Sequence, residues 1–260
     1  MANSSPQRIK AAFFDIDGTL LSFRTHSVSP GTVRAFNRLH AAGVRTFLST
    51  GRPMVIVPKM PLDFEACITM NGALVFTPDE VLLRNPVPDS DLDAWIAYAK
   101  EKQLCTMVFT EDGMFCSQLN DMAVGIRNQL EFPMPEVVNI EHLRGLQVYQ
   151  IIALMPPEMD KEVGALLPHC RLPRWHSAFT DIVADGNSKA VGMEAICRHF
   201  GIAREETLAF GDGGNDIEML RWAGIGVAMG NADDKVKAVA DRVTADVDSE
   251  GIEKMVNEIL

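Results

Sequence analysis

The chain predicts an α/β protein, with a parallel-sheet core and an α+β segment inserted between its two halves. Three observations predict it. Near-continuous apolar runs alternate with amphipathic helical stretches at both chain ends, the rhythm of βαβ units around a sheet buried on both faces. Most of these runs close on polar clusters rich in Asp, Asn, Thr and Gly. The middle breaks the rhythm and mixes helices with hairpins, as a separate α+β insert does. The expected division is a core of residues 1–82 and 186–260 around an insert of residues 83–185.

The elements follow in order. Residues 9–15 read as a buried strand ending at Asp15. Ser29 offers an N-cap and Pro30 the first helical position, so a helix is expected to residue 42, with Gly43 as its stop. Residues 44–48 are the next strand, ending at Ser49-Thr50-Gly51-Arg52, and 66–70 a third, ending at Asn71-Gly72. Pro86-Val87-Pro88 reads as a linker, and Ser90 as the cap of a helix over 91–102. Strands over 106–110 and 114–117 flank Glu111-Asp112-Gly113, a hairpin signal. A helix around 120–130, a strand over 148–154, a helix over 160–167 and strands over 172–175 and 180–184 complete the insert. Ser188 then caps a helix running to Phe200 and stopped by Gly201. A strand over 207–210 ends at Gly211-Asp212. A helix over 215–223, a strand over 225–229, a helix over 233–240 and a short strand over 242–244 follow.

Bulk properties narrow the function classes. With 260 residues the chain suits one large or two modest domains, at roughly 100–200 residues per domain. No apolar run approaches the roughly 20 residues of a membrane helix, and residues 1–7 are too polar for a signal peptide. A cytoplasmic location is expected by default. The net charge of −11 argues against nucleic-acid and anionic-membrane partners, while leaving room for an anionic substrate held by local cations. The five cysteines are scattered, form no C-x-x-C pair, and read as reduced core thiols. The six histidines show no metal-ligand spacing.

The chemistry sits at strand ends. In Asp15-Ile16-Asp17-Gly18-Thr19 the two acids share one face of the strand end, because residues i and i+2 point the same way. Alone, Asp-x-Asp-Gly is an ordinary polar turn. In open parallel sheets, however, ligands bind beyond the carboxyl ends of the strands. Asp15 and Asp17, Thr50, Asn71 and Asp212 all fall there. Gly211-Asp212-Gly213-Gly214-Asn215-Asp216 is a capped helix start on its own; beside the first acidic cluster it becomes a metal site, with Asp212 a Mg²⁺ ligand opposite Asp15. Lys189, in the first turn of a helix, sits against the helix dipole, a placement that suits contact with a phosphoryl oxygen. Thr50 can donate a hydroxyl to the same group; Ser49 competes, but strand alternation turns it to the other face.

Taken together, Asp15-x-Asp17-Gly18-Thr19, Thr50-Gly51-Arg52, Lys189 and Gly211-Asp212-x-x-Asn215-Asp216 resemble the ordered motifs of the haloacid dehalogenase-like hydrolase superfamily. Asn71-Gly72-Ala73 and the run from Gly226 through Met229, Gly230 and Asn231 to Ala232 resemble its Cof-type, class IIB, sugar-phosphatase-like members. The resemblance implies a Rossmann-like core with an inserted α+β cap domain. It implies Asp15 as nucleophile, forming an aspartyl-phosphate, and Asp17 as general acid and then base. Asp15, Asp17 (through its main-chain carbonyl), Asp212 and Asp216 would serve the metal, Mg²⁺. Thr50 and Lys189 would hold phosphoryl oxygens, and Asn215 would contact that group or orient Lys189. Gly51, Arg52 and Asn71 complete the expected substrate-binding set. Ala190 stands where a Gly is common. True dehalogenases lack the second acid, so Asp17 favours phosphate chemistry.

The function implied is a Mg²⁺-dependent phosphatase for small phosphorylated metabolites, sugar phosphates foremost. A phosphomutase on the same scaffold and a non-catalytic sugar-phosphate sensor are the alternatives. The sensor has no use for a retained nucleophile and acid. Trp175, His176 and Phe179 lie between two insert strands and read equally as a substrate-contacting loop or as a self-packed aromatic hairpin.

Overall fold

The computed structural model describes residues 9–129, 133–174 and 176–260. The chain divides into two units. One takes the described residues up to Arg52 together with Pro58–Arg84 and Ser188–Leu260; the other takes Pro53–Val57 and Asn85–Asn187.

The first unit begins with β1 (Ala11–Phe14), α1 (Pro30–Ala41), β2 (Arg45–Ser49), β3 (Ala66–Thr69), β4 (Leu74–Phe76) and β5 (Val81–Arg84). Ser29 caps α1 by accepting from the Thr32 N–H, with Pro30 following in the first helical turn. In the second unit come α2 (Asp89–Glu101), β6 (Thr106–Phe109), β7 (Met114–Cys116), α3 (Asp121–Gln129) and β8 (Glu136–Val137). The same unit continues with β9 (Gln150–Ala153), α4 (Asp160–Leu166), β10 (Cys170–Arg171) and β11 (Thr180–Ala184). The first unit resumes with α5 (Lys189–Phe200), β12 (Thr207–Gly211), α6 (Ile217–Trp222), β13 (Ile225–Ala228), α7 (Asp234–Lys237), β14 (Arg242–Val243) and α8 (Gly251–Ile259).

The first unit's sheet runs β14-β13-β12-β1-β2-β3-β4-β5. It is parallel from β14 to β3 and turns antiparallel at β4 and β5. Every residue of β1, Ala-Ala-Phe-Phe, is buried, as a central strand covered on both faces must be. Ala11 and Phe13 face Phe47, Met193, Ile196 and Met219. Phe14 points the other way, against Phe36 of α1 and Phe210 of β12. β1 lies between β2 and β12, so the ends of these three strands form one rim. The second unit's sheet runs β10-β11-β9-β6-β7-β8, mostly antiparallel, with a core built on Trp95, Val108, Ile151 and Ile182. Among the described residues no helix is long and apolar enough to cross a membrane.

Several local expectations need correction. Pro86-Val87-Pro88 is no free linker: Val87 is buried and its N–H donates to Val148 O at 2.7 Å. Pro88, not Ser90, precedes α2; Ser90 lies inside the first turn, where its hydroxyl donates to Asp91. The strand expected over 172–175 is instead β10, two residues earlier, and Trp175 lies outside the described residues, as does residue 130 of the helix expected at 120–130. The helix expected from 215 starts as a short 3-10 turn, Gly214–Asp216, because Asp216 folds back onto the turn before it. The helix expected over 233–240 is the four-residue α7. The β4–β5 hairpin and α8 add to the elements that the sequence pattern predicts.

Candidate active site

Four strand ends and one helix start supply the site. Asp15 follows β1, Thr50 follows β2, Asn71 lies in the turn after β3, and Asp212 follows β12. Ser188 accepts from the Val191 N–H and so fixes the start of α5, which puts Lys189 in its first turn.

Lys189 is fully buried and bridges two acids. Its Nζ donates to Asp15 Oδ1 and to Asp216 Oδ1, each at 2.5 Å. Asp216 Oδ2 accepts the main-chain N–H of Asp212 at 3.0 Å and of Gly213 at 2.9 Å. Asp212 is held by Thr19, whose hydroxyl donates to Oδ1 at 2.8 Å, and by Asn231, whose amide donates to Oδ2 at 3.2 Å. Carboxylate oxygens of Asp15, Asp212 and Asp216 lie within 4.8 Å of one another.

The charges do not balance. Three acids stand around one ammonium, with Asp15, Asp216 and Lys189 buried and Asp212 half-buried. Burial, then the charge of Asp216, push the Asp15 carboxyl well above its usual range, against the pull of Lys189. Burial likewise pushes Asp212 up to about 6, against the Thr19 hydrogen bond and with the Asp216 charge. Burial works against the Lys189 charge, but the two carboxylates outweigh it and hold the ammonium above its ordinary value. A second positive charge would relieve this surplus. The donors are all carboxylate oxygens, the set that suits a hard divalent cation rather than a soft one. The residues therefore fit a metal, with one carboxylate oxygen each from Asp15, Asp212 and Asp216 close enough to share it. Asp216 stands close, with one oxygen on Lys189 and the other on two N–H groups.

The other expected residues fall into two groups. Asp17 sits on the rim, but its carboxylate is outside the acidic trio: Arg52 grips it with Nε to Oδ2 and Nη2 to Oδ1, both at 2.7 Å. Its main-chain carbonyl is the atom left for the expected metal contact. Thr50 is buried, and its hydroxyl accepts the Arg52 N–H at 3.0 Å, which shapes the Thr50-Gly51-Arg52 turn. Asn71 adopts a left-handed backbone (φ 54°) and accepts from Asn215 Nδ2 at 2.9 Å. Side-chain atoms of both crowd the space beside Gly51. In the second unit Phe179 is fully buried and stacks on His176, centroids 4.8 Å apart; these two rings pack on each other.

A model of the haloacid dehalogenase-like hydrolases matches residues 12–256. The chain belongs to that family. It is a Cof-type, class IIB member of these hydrolases. YkrA of Bacillus subtilis (strain 168), named as a phosphatase, is 32% identical over 254 residues, 96% of this chain and 97% of YkrA. Pyridoxal phosphate phosphatase YbhA of Escherichia coli (strain K12) is 29% identical, with 93% of this chain and 95% of YbhA covered. Among solved structures, the subclass IIB sugar phosphatase BT4131 superposes with a TM-score of 0.84 at 40% identity, over 96% of this chain and 100% of that one. BT1666 from Bacteroides thetaiotaomicron superposes with a TM-score of 0.88 at 34% identity, over 100% and 98%.

Two residues of this hydrolase escaped the sequence reading as site residues: Thr19 and Asn231, the two donors to Asp212. Both lie in runs singled out by motif. Asn231 follows a parallel strand of the same sheet, the position that marks the other site residues.

Proposed function

We propose that this phosphatase hydrolyses small phosphomonoesters, sugar phosphates foremost, through an aspartyl-phosphate on Asp15, with Mg²⁺ bound by Asp15, Asp212 and the main-chain carbonyl of Asp17, and Asp216 in support. One observation carries the reading: the buried Lys189 that joins Asp15 and Asp216 beside Asp212. A carboxylate attacks a phosphate dianion only where the repulsion between them is offset, and Lys189 supplies a fixed cation at Asp15 itself.

The steps balance. An oxygen of Asp15 attacks phosphorus and the ester P–O bond breaks. Asp17 gives its proton to the leaving alkoxide, which departs poorly without one. Water then attacks the phosphorus of the acyl phosphate, Asp17 takes the water's proton, and inorganic phosphate leaves with Asp15 restored. For this Asp17 must leave Arg52, which binds it as a carboxylate, and take a proton from solvent before it reaches the ester oxygen. Lys189 and the Thr50 hydroxyl hold phosphoryl oxygens, and Asn215, held by Asn71 beside Gly51, would reach the same group. Bound Mg²⁺ supplies charge neutralisation of the phosphoryl group. The sugar-phosphate preference rests on likeness to a subclass IIB sugar phosphatase, while a pyridoxal phosphate phosphatase among the relatives keeps aromatic phosphates in view.

The test is phosphate release from sugar phosphates, nucleotides and pyridoxal phosphate, with Mg²⁺ and with EDTA, and with Asp15→Asn as control. Metal-dependent release that vanishes in Asp15→Asn supports the reading. An active Asp15→Asn protein sinks the nucleophile assignment, and silence of the folded wild type across the panel sinks hydrolysis of these esters.

A further inference from the structure

Asn231 makes three hydrogen bonds that tie three parts of the first unit together. Its Nδ2 donates to Gly18 O at 2.8 Å and to Asp212 Oδ2 at 3.2 Å, while its Oδ1 accepts the Val247 N–H at 3.0 Å. Two acceptors on one side and a donor on the other allow only one orientation of the amide. The chain is folded to make this possible. A β-carbon on Gly230 would lie 2.5 Å from Asp246 N, so only glycine lets the stretch before α8 pass this close and bring the Val247 N–H to Asn231. Gly230 N also donates to Ala245 O at 3.1 Å.

Asp212 differs from its neighbours in the trio. Lys189 is bonded to Asp15 and Asp216, whereas the oxygens of Asp212 receive Thr19 and Asn231, both uncharged donors. One neutral donor on each oxygen fixes the carboxylate plane without neutralising its charge. A second lone pair on each oxygen is left to a cation.

We propose that Asn231 is a positioning residue for the metal: its amide aims the Asp212 carboxylate, and through it sets the affinity for a divalent cation. The proposal rests on the metal-dependent reading above. Groups that orient a metal ligand in this way alter metal affinity by about 10–100-fold when lost.

The test is calorimetric titration of the full chain with Mg²⁺ alone, alongside thermal melts in EDTA. Asn231→Ala is expected to raise the Mg²⁺ dissociation constant about 10–100-fold. Turnover should recover most of its wild-type value at saturating Mg²⁺. Val247→Pro separates aiming from bracing, because it removes only the N–H that Oδ1 accepts, at the start of a 3-10 turn where proline fits. Its Mg²⁺ affinity should fall less than that of Asn231→Ala, because Nδ2 keeps both of its acceptors. Asn231→Ser, too short to reach Asp212, replaces the alanine variant should that fail to fold. A folded Asn231 variant with wild-type affinity overturns the proposal, as does a Val247→Pro loss equal to that of Asn231→Ala. Absence of Mg²⁺ binding by the wild-type chain instead overturns the metal reading itself.

Discussion

Replacing Lys189 by methionine removes the charge that two buried acids share, while keeping an apolar stem of similar length. Removing one partner of a buried ion pair costs about 3–5 kcal/mol, because the other charge is left without compensation. Here Asp216 keeps its two main-chain donors, whereas Asp15 loses its 2.5 Å bond to the ammonium, so most of the deficit falls on Asp15. The expected loss is therefore about 3–5 kcal/mol at pH 8 in EDTA, read from urea unfolding. Its pH dependence has a definite sign. The Asp15 carboxyl is already raised above the ordinary 3.8 by burial and by Asp216, against the pull of Lys189. Without the lysine it rises further. An acid raised in the folded state favours folding while protonated, and that advantage is lost as pH climbs through its folded value. The deficit should shrink toward pH 5, and Mg²⁺ at pH 8 should restore part of it. In saturating Mg²⁺, kcat should still fall about 10²–10³-fold. A deficit below about 1 kcal/mol at pH 8, or one unchanged between pH 8 and pH 5, would refute the view that Lys189 is there to balance the acids.

Three further outcomes are expected. Asp17→Asn should lower turnover of a sugar phosphate about 10²–10⁴-fold, yet release one equivalent of nitrophenolate from p-nitrophenyl phosphate in a burst, since that leaving group needs no acid; a missing burst would remove Asp17 from the acid–base role. Gly18→Ala places a β-carbon 2.1 Å from Asp212 Oδ2 and 2.7 Å from Phe23 Cε2 on a backbone of φ +82°; we expect roughly 1–2 kcal/mol of strain and clearly weaker Mg²⁺ binding by calorimetry, and wild-type affinity would contradict the geometry. Hydrogen bonds from Lys100 and Arg144 hold the Glu141 carboxyl down to about 2, below its ordinary 4.5, so its contribution is present above pH 4.5 and fades as pH falls toward 2. Glu141→Gln and high salt should each flatten the acid limb of the stability curve, and an unchanged limb in both would show this exposed pair to be idle.

What was legible in the sequence is local chemistry. Ser29 with Pro30, and Ser188, cap helices because a side-chain oxygen reaches an N–H two or three residues on, a relation visible in a few letters. Asp15, Thr50, Asn71 and Asp212 stood out because each follows an apolar run, and a parallel sheet brings such ends to one rim. Long-range placement was not legible. Val87 looked like linker because prolines flank it, while its burial depends on Val148, far along the chain. The Leu74–Phe76 and Val81–Arg84 hairpin consists of apolar runs too short to tell from loop. In α8 the buried Ile252, Met255 and Val256 do carry helical spacing, yet that stretch starts from Glu250 in a left-handed conformation, without a side-chain cap to announce it. Asn231 lies 19 positions from Asp212, and no local rule pairs them.

The place of β1 in the sheet also governs when a newly made chain can work. Ala11 pairs with Thr207 on one side and Arg45 on the other, and Asp15 meets a lysine 174 positions downstream. At about 5–20 residues per second of synthesis, β1 waits roughly 10–40 s for its second neighbour, with an Ala-Ala-Phe-Phe edge unpaired. A ribosome-bound chain that stops short of Thr207 carries one acid of the trio and cannot assemble the others. Activity should therefore arrive late and all at once during synthesis, and truncated chains should be catalytically silent while prone to stick to one another through that edge.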